Sequence, residues 1–171
     1  KRRVEKKIKN GKYIAYFQAF TNTYAPLETL KAKFCEAIEH PDIVAISIAT
    51  RPDCLPDEVI DLLKELNRIK PVFVELGLQT IHEKTAEYIR RGYTLDVYDT
   101  ALKKLKETGI NIVTHIILGL PNETKEDMLK SVDYVCKAGT DGIKLQLLHI
   151  LQGTDLENEY SNGKVNTFTI E

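Results

Sequence analysis

The sequence predicts an α/β protein whose parallel strands form a partial, TIM-like βα barrel, with five βα units present and the first strand missing. Five short apolar runs alternate with amphipathic stretches of helical periodicity. The runs recur about every 30 residues, which is the length of a βα unit. Several runs are apolar on both alternating faces, as expected for a parallel sheet covered by helices.

The five runs are rich in β-branched and aromatic residues and mark the predicted strands. They span Tyr13–Phe20, Ile43–Ala49, Val72–Leu78, Ile110–Leu118 and Gly142–Ile150. A complete eight-stranded barrel needs about 250 residues, whereas this chain has 171. The length therefore favours part of a barrel over a closed one.

Start and stop signals delimit the helices between the strands. Pro26 and Pro56 open the first two helices, because proline suits the first helical turn. Gly92 is expected to end the third helix, and Thr94 to cap the fourth.

Two pairs of residues have the spacing of a capping box, in which two side chains bond each other's backbone N–H groups. Thr80 with Glu83 precedes the third helix, and Thr124 with Asp127 precedes the fifth. Gly139 then closes the fifth helix.

The two ends of the chain are expected to lie outside the barrel of residues 13–152. Residues 1–12 are charged and resemble the remnant of an upstream helix, and residues 153–171 form a C-terminal connector with a strand-like piece at Val165–Ile170. With the first strand missing, Tyr13–Phe20 lies at an unpaired edge. Because such edges pair with other chains, we expect dimerisation through this strand.

Composition narrows the classes of partner. The chain has 24 basic and 25 acidic residues, so no global field attracts nucleic acid. No apolar stretch reaches the roughly 18 residues of a membrane span, so no membrane partner is expected. Cys35, Cys54 and Cys136 lie far apart, which is typical of reduced thiols and predicts a cytoplasmic protein.

Polar residues and glycines collect at the carboxyl ends of the predicted strands, where barrels of this type hold their ligands. The candidate binding residues there are Gln18, Thr21, Asn22, Thr50, Arg51, Gln79, His115, Gly119, Leu148 and His149. No nucleophile–base pair, glycine-rich phosphate loop or cysteine cluster accompanies them. The residues alone predict a polar, partly cationic site for a flat ligand that bears a carboxylate.

Structural roles remain open for several of these residues. Gln79 either contacts a ligand or ties two strands together. Arg51 either faces a ligand or pairs with Asp53 or Glu75. Glu75 lies within a strand and needs a partner, for which Arg51 and Lys144 are the candidates.

Five strings in order resemble the radical S-adenosylmethionine (SAM) enzymes, and most closely the YhcC/YtqA-type iron–sulfur oxidoreductases. The strings are Tyr13–Asn22, Ile46–Leu55, Val74–Thr80, His115–Pro121 and Gly142–Thr154. Related patterns occur in oxygen-independent coproporphyrinogen oxidases and in the catalytic subunit of Elongator. The resemblance covers essentially the whole chain.

This resemblance implies a six-stranded, partial (β/α)6 barrel that binds SAM across its top. It also implies a [4Fe–4S] cluster held by three cysteines, an electron donor, and one-electron cleavage of SAM to a 5′-deoxyadenosyl radical that abstracts hydrogen from a substrate. The Elongator-like string at 50–53 raises tRNA wobble-uridine modification as the role of the parent enzyme. A porphyrinogen or another small substrate is the alternative.

The resemblance also assigns roles within the SAM site. Gln18–Asn22 matches a segment that contacts the SAM amino group, and Gln79 matches a glutamine that faces the ribose or methionine part. Arg91 matches an arginine that pairs with the SAM carboxylate, unless it is only an exposed helix-end charge. His115 stands where relatives have a ribose-binding acid.

Further matches are less complete. Gly119 and Leu148–Ile150 match backbone that flanks the adenine. Thr50 and Arg51 match the loop after the second strand, but Ala49 stands where the coproporphyrinogen oxidases and Elongator have a glutamate.

The cluster motif is the largest departure from the family. The three cysteines are not a CxxxCxxC-type set, and Cys35 and Cys136 fit buried helix faces. We therefore expect a truncated polypeptide that keeps much of the SAM groove, with the cluster in the intact parent only and with no activity alone. The alternatives are a cluster-free SAM- or nucleotide-binding module, and a metallohydrolase that uses His115 and His149.

Overall fold

A computed structural model describes residues 11–18 and 20–168. The strands are β1 (Tyr13–Phe17), β2 (Ile43–Thr50), β3 (Val72–Gln79), β4 (Asn111–Leu118) and β5 (Gly142–Leu147). The helices are α1 (Leu27–Glu39), α2 (Asp57–Asn67), α3 (Glu83–Tyr88), α4 (Leu95–Lys106), α5 (Lys125–Ala138) and α6 (Asp155–Ser161), with a short 3₁₀ turn at Pro52–Cys54.

The five strands form one parallel sheet in the order of the chain, β1-β2-β3-β4-β5. Each strand pairs with the next, and helices connect β1 through β5. The sheet curls into a half-barrel, which confirms the predicted fold class. Among the described residues, β1 lies at one edge of the sheet.

The two faces of the sheet differ in character. In β3 every second residue is fully buried against the helices, beginning with Val72 and Val74. The intervening positions of β3, which include Glu75 and Gln79, are half-buried and face the concave side. The helix-covered face therefore supplies the hydrophobic core, while the concave face is free to carry polar groups.

Two predicted strands end early. β1 stops at Phe17 and β5 at Leu147, so Gln18 and Leu148 lie in loops beyond the sheet. The predicted connector also contains helix α6, and residues 165–168 form no strand. Predictions for residues 1–10, 19 and 169–171 fall outside the described part of the chain.

The capping box predicted at Thr80 is wrong, because both of its side chains bond elsewhere. The Thr80 hydroxyl donates to Glu123 at 2.5 Å and accepts from the His82 N–H at 3.0 Å. Glu83 accepts from the Leu95 N–H at 2.7 Å and pairs with Arg91 at 3.2 Å. The two side chains thus join α3 to neighbouring segments.

The second capping box forms as predicted. The Asp127 N–H donates to the Thr124 hydroxyl at 3.2 Å, and the Thr124 N–H donates to the Asp127 carboxylate at 3.1 Å. Gly139 closes α5 in the left-handed conformation at φ 85°.

Thr124→Ala is expected to lower the free energy of unfolding by about 1 kcal/mol, because it leaves an N-terminal amide of α5 without its acceptor. Urea unfolding followed by circular dichroism measures this change. Thr124→Ser keeps the hydroxyl and is the control. Equal losses in both variants would contradict a capping role.

None of the helices in the described ranges is long and apolar enough to cross a bilayer.

Candidate functional site

A cleft of about 490 Å³ opens at the carboxyl ends of the strands. It lies between the strand-end loops and helix α6. Residues from both sides line it, including Arg51, Gln79, Arg91, Tyr93, Ile117, Leu120, Leu148 and Leu156. Four of the predicted ligand-binding residues, Arg51, Gln79, Arg91 and Leu148, are thus brought together in one cavity.

Gln79 combines a strained backbone with an unsatisfied side chain. Its φ is +73°, and the Thr80 N–H donates to the Leu78 carbonyl across it at 2.9 Å, which closes a γ-turn. Its Oε1 is buried without a hydrogen-bond partner among the described residues. A buried carbonyl oxygen without a donor costs about 1–3 kcal/mol, so this position is suited to a ligand that supplies one.

Gly77 makes room for that side chain. A Cβ at Gly77 would lie 2.8 Å from the Nε2 atom of Gln79. Glycine two residues before Gln79 therefore lets the amide fold back over the end of β3. The β3–β4 register is also irregular between these two residues.

Arg91 is built into the fold and is not an exposed helix-end charge, since only 2% of its side chain is exposed. Its Nε donates to the Tyr93 carbonyl at 2.8 Å, and its Nη1 donates to the carbonyls of Leu78 and Thr80. Its Nη2 bonds the Glu83 carboxylate. Arg91 thereby fixes the loop after β3 that carries Gln79.

Arg51 lies at the same end of the cleft but remains accessible. Its Nε and Nη2 atoms donate to the two carboxylate oxygens of Asp53 at 2.9 and 2.6 Å. This hydrogen bond with Asp53 raises the pKa of Arg51, which stays charged. The guanidinium also lies 5.3 Å from the centroid of the Tyr93 ring, with Arg91 at 4.9 Å. Of the two open pairings, Arg51 therefore forms the one with Asp53.

Apolar side chains line the part of the cleft that lies beside β4 and β5. Ile117 comes from the end of β4, Leu120 and Leu148 from the loops that follow β4 and β5, and Leu156 from α6. The cleft thus has a cationic part beside β2 and β3 and apolar side chains beside β4 and β5, while Asp155 and Glu159 of α6 also line it.

The contacts of α6 with the rest of the protein were not foreseen from the sequence. Asp155 pairs with Arg90 at 2.6 Å, and Glu159 accepts a hydrogen bond from Tyr88. The Thr154 hydroxyl caps α6 by accepting from the Glu157 N–H at 3.2 Å. That capping spacing was the available signal for a helix within the supposed connector.

A second polar group lies on the concave face, centred on Glu75. Its carboxylate accepts hydrogen bonds from Ser47 at 2.6 Å, Tyr16 at 2.8 Å and His115 at 2.7 Å, and Lys144 lies 3.4 Å away. Burial opposes ionisation of Glu75. Hydrogen bonds from Ser47, Tyr16 and His115 outweigh that burial and lower the pKa of Glu75 to about 2. The predicted partner Lys144 is confirmed.

His115 belongs to this group and not to the cleft. Burial lowers the pKa of His115, and the bond to Glu75 offsets that effect only in part. The imidazole is therefore neutral at pH 7 and donates its Nε2–H to the carboxylate. On the far side, Lys144 donates to the Tyr16 hydroxyl at 2.9 Å, which links β1 to β5 across the half-barrel.

Three other predicted residues have contacts within the fold. Asn22 donates to the carbonyls of Phe17 and Ala49 at 3.0 and 2.9 Å. The hydroxyl of Thr50 is buried against that of Thr23 at 2.5 Å. A Cβ at Gly119 would lie 2.9 Å from the Phe168 ring, which covers this glycine.

The remaining predicted residues lie outside the cleft. Gln18 and His149 are exposed, and Thr21 is half-buried. No group of three or more histidine, cysteine or acidic residues suited to a metal ion occurs in the described ranges. The metallohydrolase alternative therefore has no support from the described residues.

The three cysteines lie on different structural elements. Cys35 lies on α1, Cys54 in the turn after β2, and Cys136 on α5. All three are free thiols, and Cys136 is exposed, so the buried position expected for it is wrong.

Comparison with known proteins identifies relatives over nearly the whole chain. Residues 1–135 match the Radical SAM superfamily. The uncharacterised protein YtqA of Bacillus subtilis is 50% identical over 96% of this chain and 51% of its own length. Protein YhcC of Escherichia coli is 38% identical over 94% of this chain and 52% of its own length.

Among solved structures, the fold is similar to that of the archaeal Methanocaldococcus infernus Elp3 with an N-terminal deletion. The TM-score is 0.81 at 20% identity, over 98% of this chain and 44% of that one. At this identity the likeness concerns the fold alone.

Proposed function

Because the chain belongs to the radical SAM superfamily, we propose that its cleft binds SAM and that the protein uses SAM for radical chemistry. The chain spans about half the length of the curated relatives that it matches, at 51% and 52%. The activity of the whole protein is part of this proposal.

The unpartnered Oε1 of Gln79 is the observation that carries the proposal. SAM has ribose hydroxyls and an ammonium group, either of which would donate a hydrogen bond to this atom. The ends of the cleft support the same ligand, since Arg51 suits a carboxylate and the apolar group around Leu120 and Leu148 suits a purine ring. One bound molecule of SAM would satisfy all three features.

The roles of the chain's own residues follow from their contacts. Arg91 holds the γ-turn at Gln79 in place, so that Oε1 faces the ligand before the ligand binds. Leu120, Leu148 and Leu156 exclude water from one end of the cleft. When bound and reduced by one electron, SAM supplies a 5′-deoxyadenosyl radical for hydrogen abstraction.

A [4Fe–4S] cluster does not fit the described residues, because Cys35, Cys54 and Cys136 lie on separate elements. A cluster in the whole protein is proposed only from membership of the family. Predicted contacts of SAM with Gln18, Thr21 and His149 likewise remain proposals.

For the whole protein we propose a role in tRNA wobble-uridine modification. The Elongator-like string at 50–53 supports it. The near-neutral charge of the chain offers no additional support. Measuring the affinity of the purified protein for tRNA at several salt concentrations tests this role.

Gln79→Gly is expected to weaken SAM binding by about 1–3 kcal/mol without loss of stability, because it removes the amide but relieves the strained φ. Isothermal titration calorimetry measures the affinity, and thermal unfolding measures the stability. Gln152→Gly changes an exposed glutamine outside the cleft and is the control. Unchanged SAM affinity in Gln79→Gly would remove this residue from the site.

A further inference from the structure

We propose that helix α6 is a lid on the cleft, hinged at Gly153 and Gly163, which opens to admit SAM and closes on it. This inference rests on the proposed function, because it concerns the entry of the same ligand. It goes further by assigning a movement to one element of the fold. The residues of α6 and its N-cap that line the cleft are Thr154, Asp155, Leu156 and Glu159.

α6 takes no part in the hydrophobic core. None of the residues that the structure describes in α6 is buried. By contrast, α5 buries Met128, Ser131 and Val135 against the sheet. Burial of an amphipathic face is the main force that holds a helix on its protein. Because α6 lacks such a face, little hydrophobic contact is lost when it leaves the cleft.

Two side-chain hydrogen bonds join α6 to the rest of the described chain, and we call this pair of contacts the latch. Arg90 donates to Asp155 at 2.6 Å, and Tyr88 donates to Glu159. The side chains of Arg90 and Asp155 are 79% and 70% exposed, and exposed ion pairs contribute little to stability. The latch can therefore break and form again without disturbing the core.

The ends of α6 are satisfied within its own segment. The Thr154 hydroxyl accepts from the Glu157 N–H at 3.2 Å, and the Glu157 carboxylate accepts from the Gly153 N–H at 2.6 Å. At the other end, the Gly163 N–H donates to the Tyr160 carbonyl at 2.9 Å. Helix ends otherwise need partners from elsewhere for their backbone groups. α6 can thus move as a unit without losing these bonds.

A glycine stands at each end of α6, between two fixed points of the chain. Gly153 has φ +81° and Gly163 has φ +69°, and no described atom lies within 4 Å of a Cβ at either. Before this segment, the Leu148 N–H donates to the Leu118 carbonyl at 2.9 Å, and after it Val165 is 5% exposed. Since glycine adopts many backbone angles at low cost, the chain can swing between these points.

The first experiment weakens the latch and follows the rates at which SAM enters and leaves. Surface plasmon resonance measures the association and dissociation rate constants of SAM for the immobilised wild-type protein and for the double variant Tyr88→Phe/Asp155→Asn. Asp133→Asn removes one partner of the exposed ion pair with Lys137 on α5 and is the matched control. Circular dichroism verifies that each variant is folded.

The second experiment strains the hinge. Gly163→Ala adds a Cβ at a positive φ, which destabilises the closed position of the lid. Gly109→Ala is the matched control, because Gly109 also follows a helix, has φ +72° and has open space around a Cβ. Gly109 precedes β4, however, and so lies at the amino end of the sheet, away from the cleft.

We expect the latch variant and Gly163→Ala to raise both rate constants by about threefold or more, because a larger fraction of molecules is open. The two controls should bind SAM at the rates of the wild type. A latch variant with an unchanged association rate, even if SAM dissociates faster, would overturn the lid. Unchanged rates in Gly163→Ala would overturn the hinge at this glycine. A wild-type protein that does not bind SAM would overturn the proposed function and this inference together.

Discussion

Arg91→Ala is expected to lower the free energy of unfolding by about 2–4 kcal/mol. The substitution removes a buried guanidinium that donates to the carbonyls of Leu78 and Thr80. Each buried acceptor left without a donor costs about 1–3 kcal/mol. Because these carbonyls flank Gln79, the variant is also expected to lose affinity for SAM.

The preceding residue provides a matched control. Arg90 is also an arginine, but 79% of its side chain is exposed, and its ion pair among the described residues is with Asp155, whose side chain is 70% exposed. Exposed ion pairs contribute only about 0–1 kcal/mol. Urea unfolding of Arg91→Ala and Arg90→Ala measures the difference. Losses that agree within 0.5 kcal/mol, on the order of the usual effect of a surface substitution, would show that Arg91 does not fix the loop.

Glu75→Gln is expected to cost about 2–3 kcal/mol at pH 7, the second largest effect. The pKa of Glu75 falls from its ordinary value of 4.5 to about 2 in the folded protein. Each pKa unit corresponds to about 1.4 kcal/mol, so the full shift would be worth about 3.5 kcal/mol, which screening by solvent at this partly exposed group reduces to about 2–3 kcal/mol. The glutamine variant keeps the shape of the side chain but loses the charge that Ser47, Tyr16, His115 and Lys144 stabilise.

The pH dependence has a definite sign. A carboxyl group whose pKa is depressed by folding stabilises the protein above its unfolded pKa, and this contribution is lost as the pH falls through the folded pKa. The difference in unfolding free energy between wild type and Glu75→Gln should therefore be constant above about pH 5. It should shrink between pH 4.5 and pH 2.

Urea unfolding of both proteins at a series of pH values from 7 to 3 tests this expectation. Ser131→Ala, which alters a buried hydroxyl outside the group, is the control and should show a difference that does not vary with pH. A difference for Glu75→Gln that persists unchanged down to pH 3 would mean that Glu75 is not the group responsible.

The sequence predicted the sheet well because the pattern of apolar residues along each strand reflects which residues are buried. Alternating residues of β3 such as Val74 and Leu76 lie fully against the helices, and this regular pattern can be recognised without a structure. The rule that ligands lie at the carboxyl ends of parallel strands then identified Arg51, Gln79 and Leu148. These three residues share one cleft.

Details that depend on competition between partners could not be predicted. Thr80 and Glu83 have the right spacing for a capping box, but Glu123 and Arg91 bind them instead. Glu123 is 43 residues from Thr80 in the chain. The spacing of residues along the sequence limits which hydrogen bonds a side chain can make, whereas tertiary packing determines which of them forms.

The same limitation applies to single side chains. Phe20 ends the first predicted strand, yet it lies beyond β1 and is 97% exposed with φ +63°. Phe17, three residues earlier, packs edge-on against Phe34, with the two ring centroids 5.0 Å apart. β1 ends at Phe17, and the aromatic residues on both sides of Gln18 did not show where the strand stops.

The central claim is that the cleft between the strand ends and α6 binds SAM, and mapping of amide chemical shifts tests it most directly. The ¹⁵N-labelled protein is titrated with SAM and the perturbed amides are assigned. Our account predicts that the largest changes fall at 77–80, at 117–120 and beside Arg51. Perturbations confined to other surfaces, or none at saturating SAM, would contradict it.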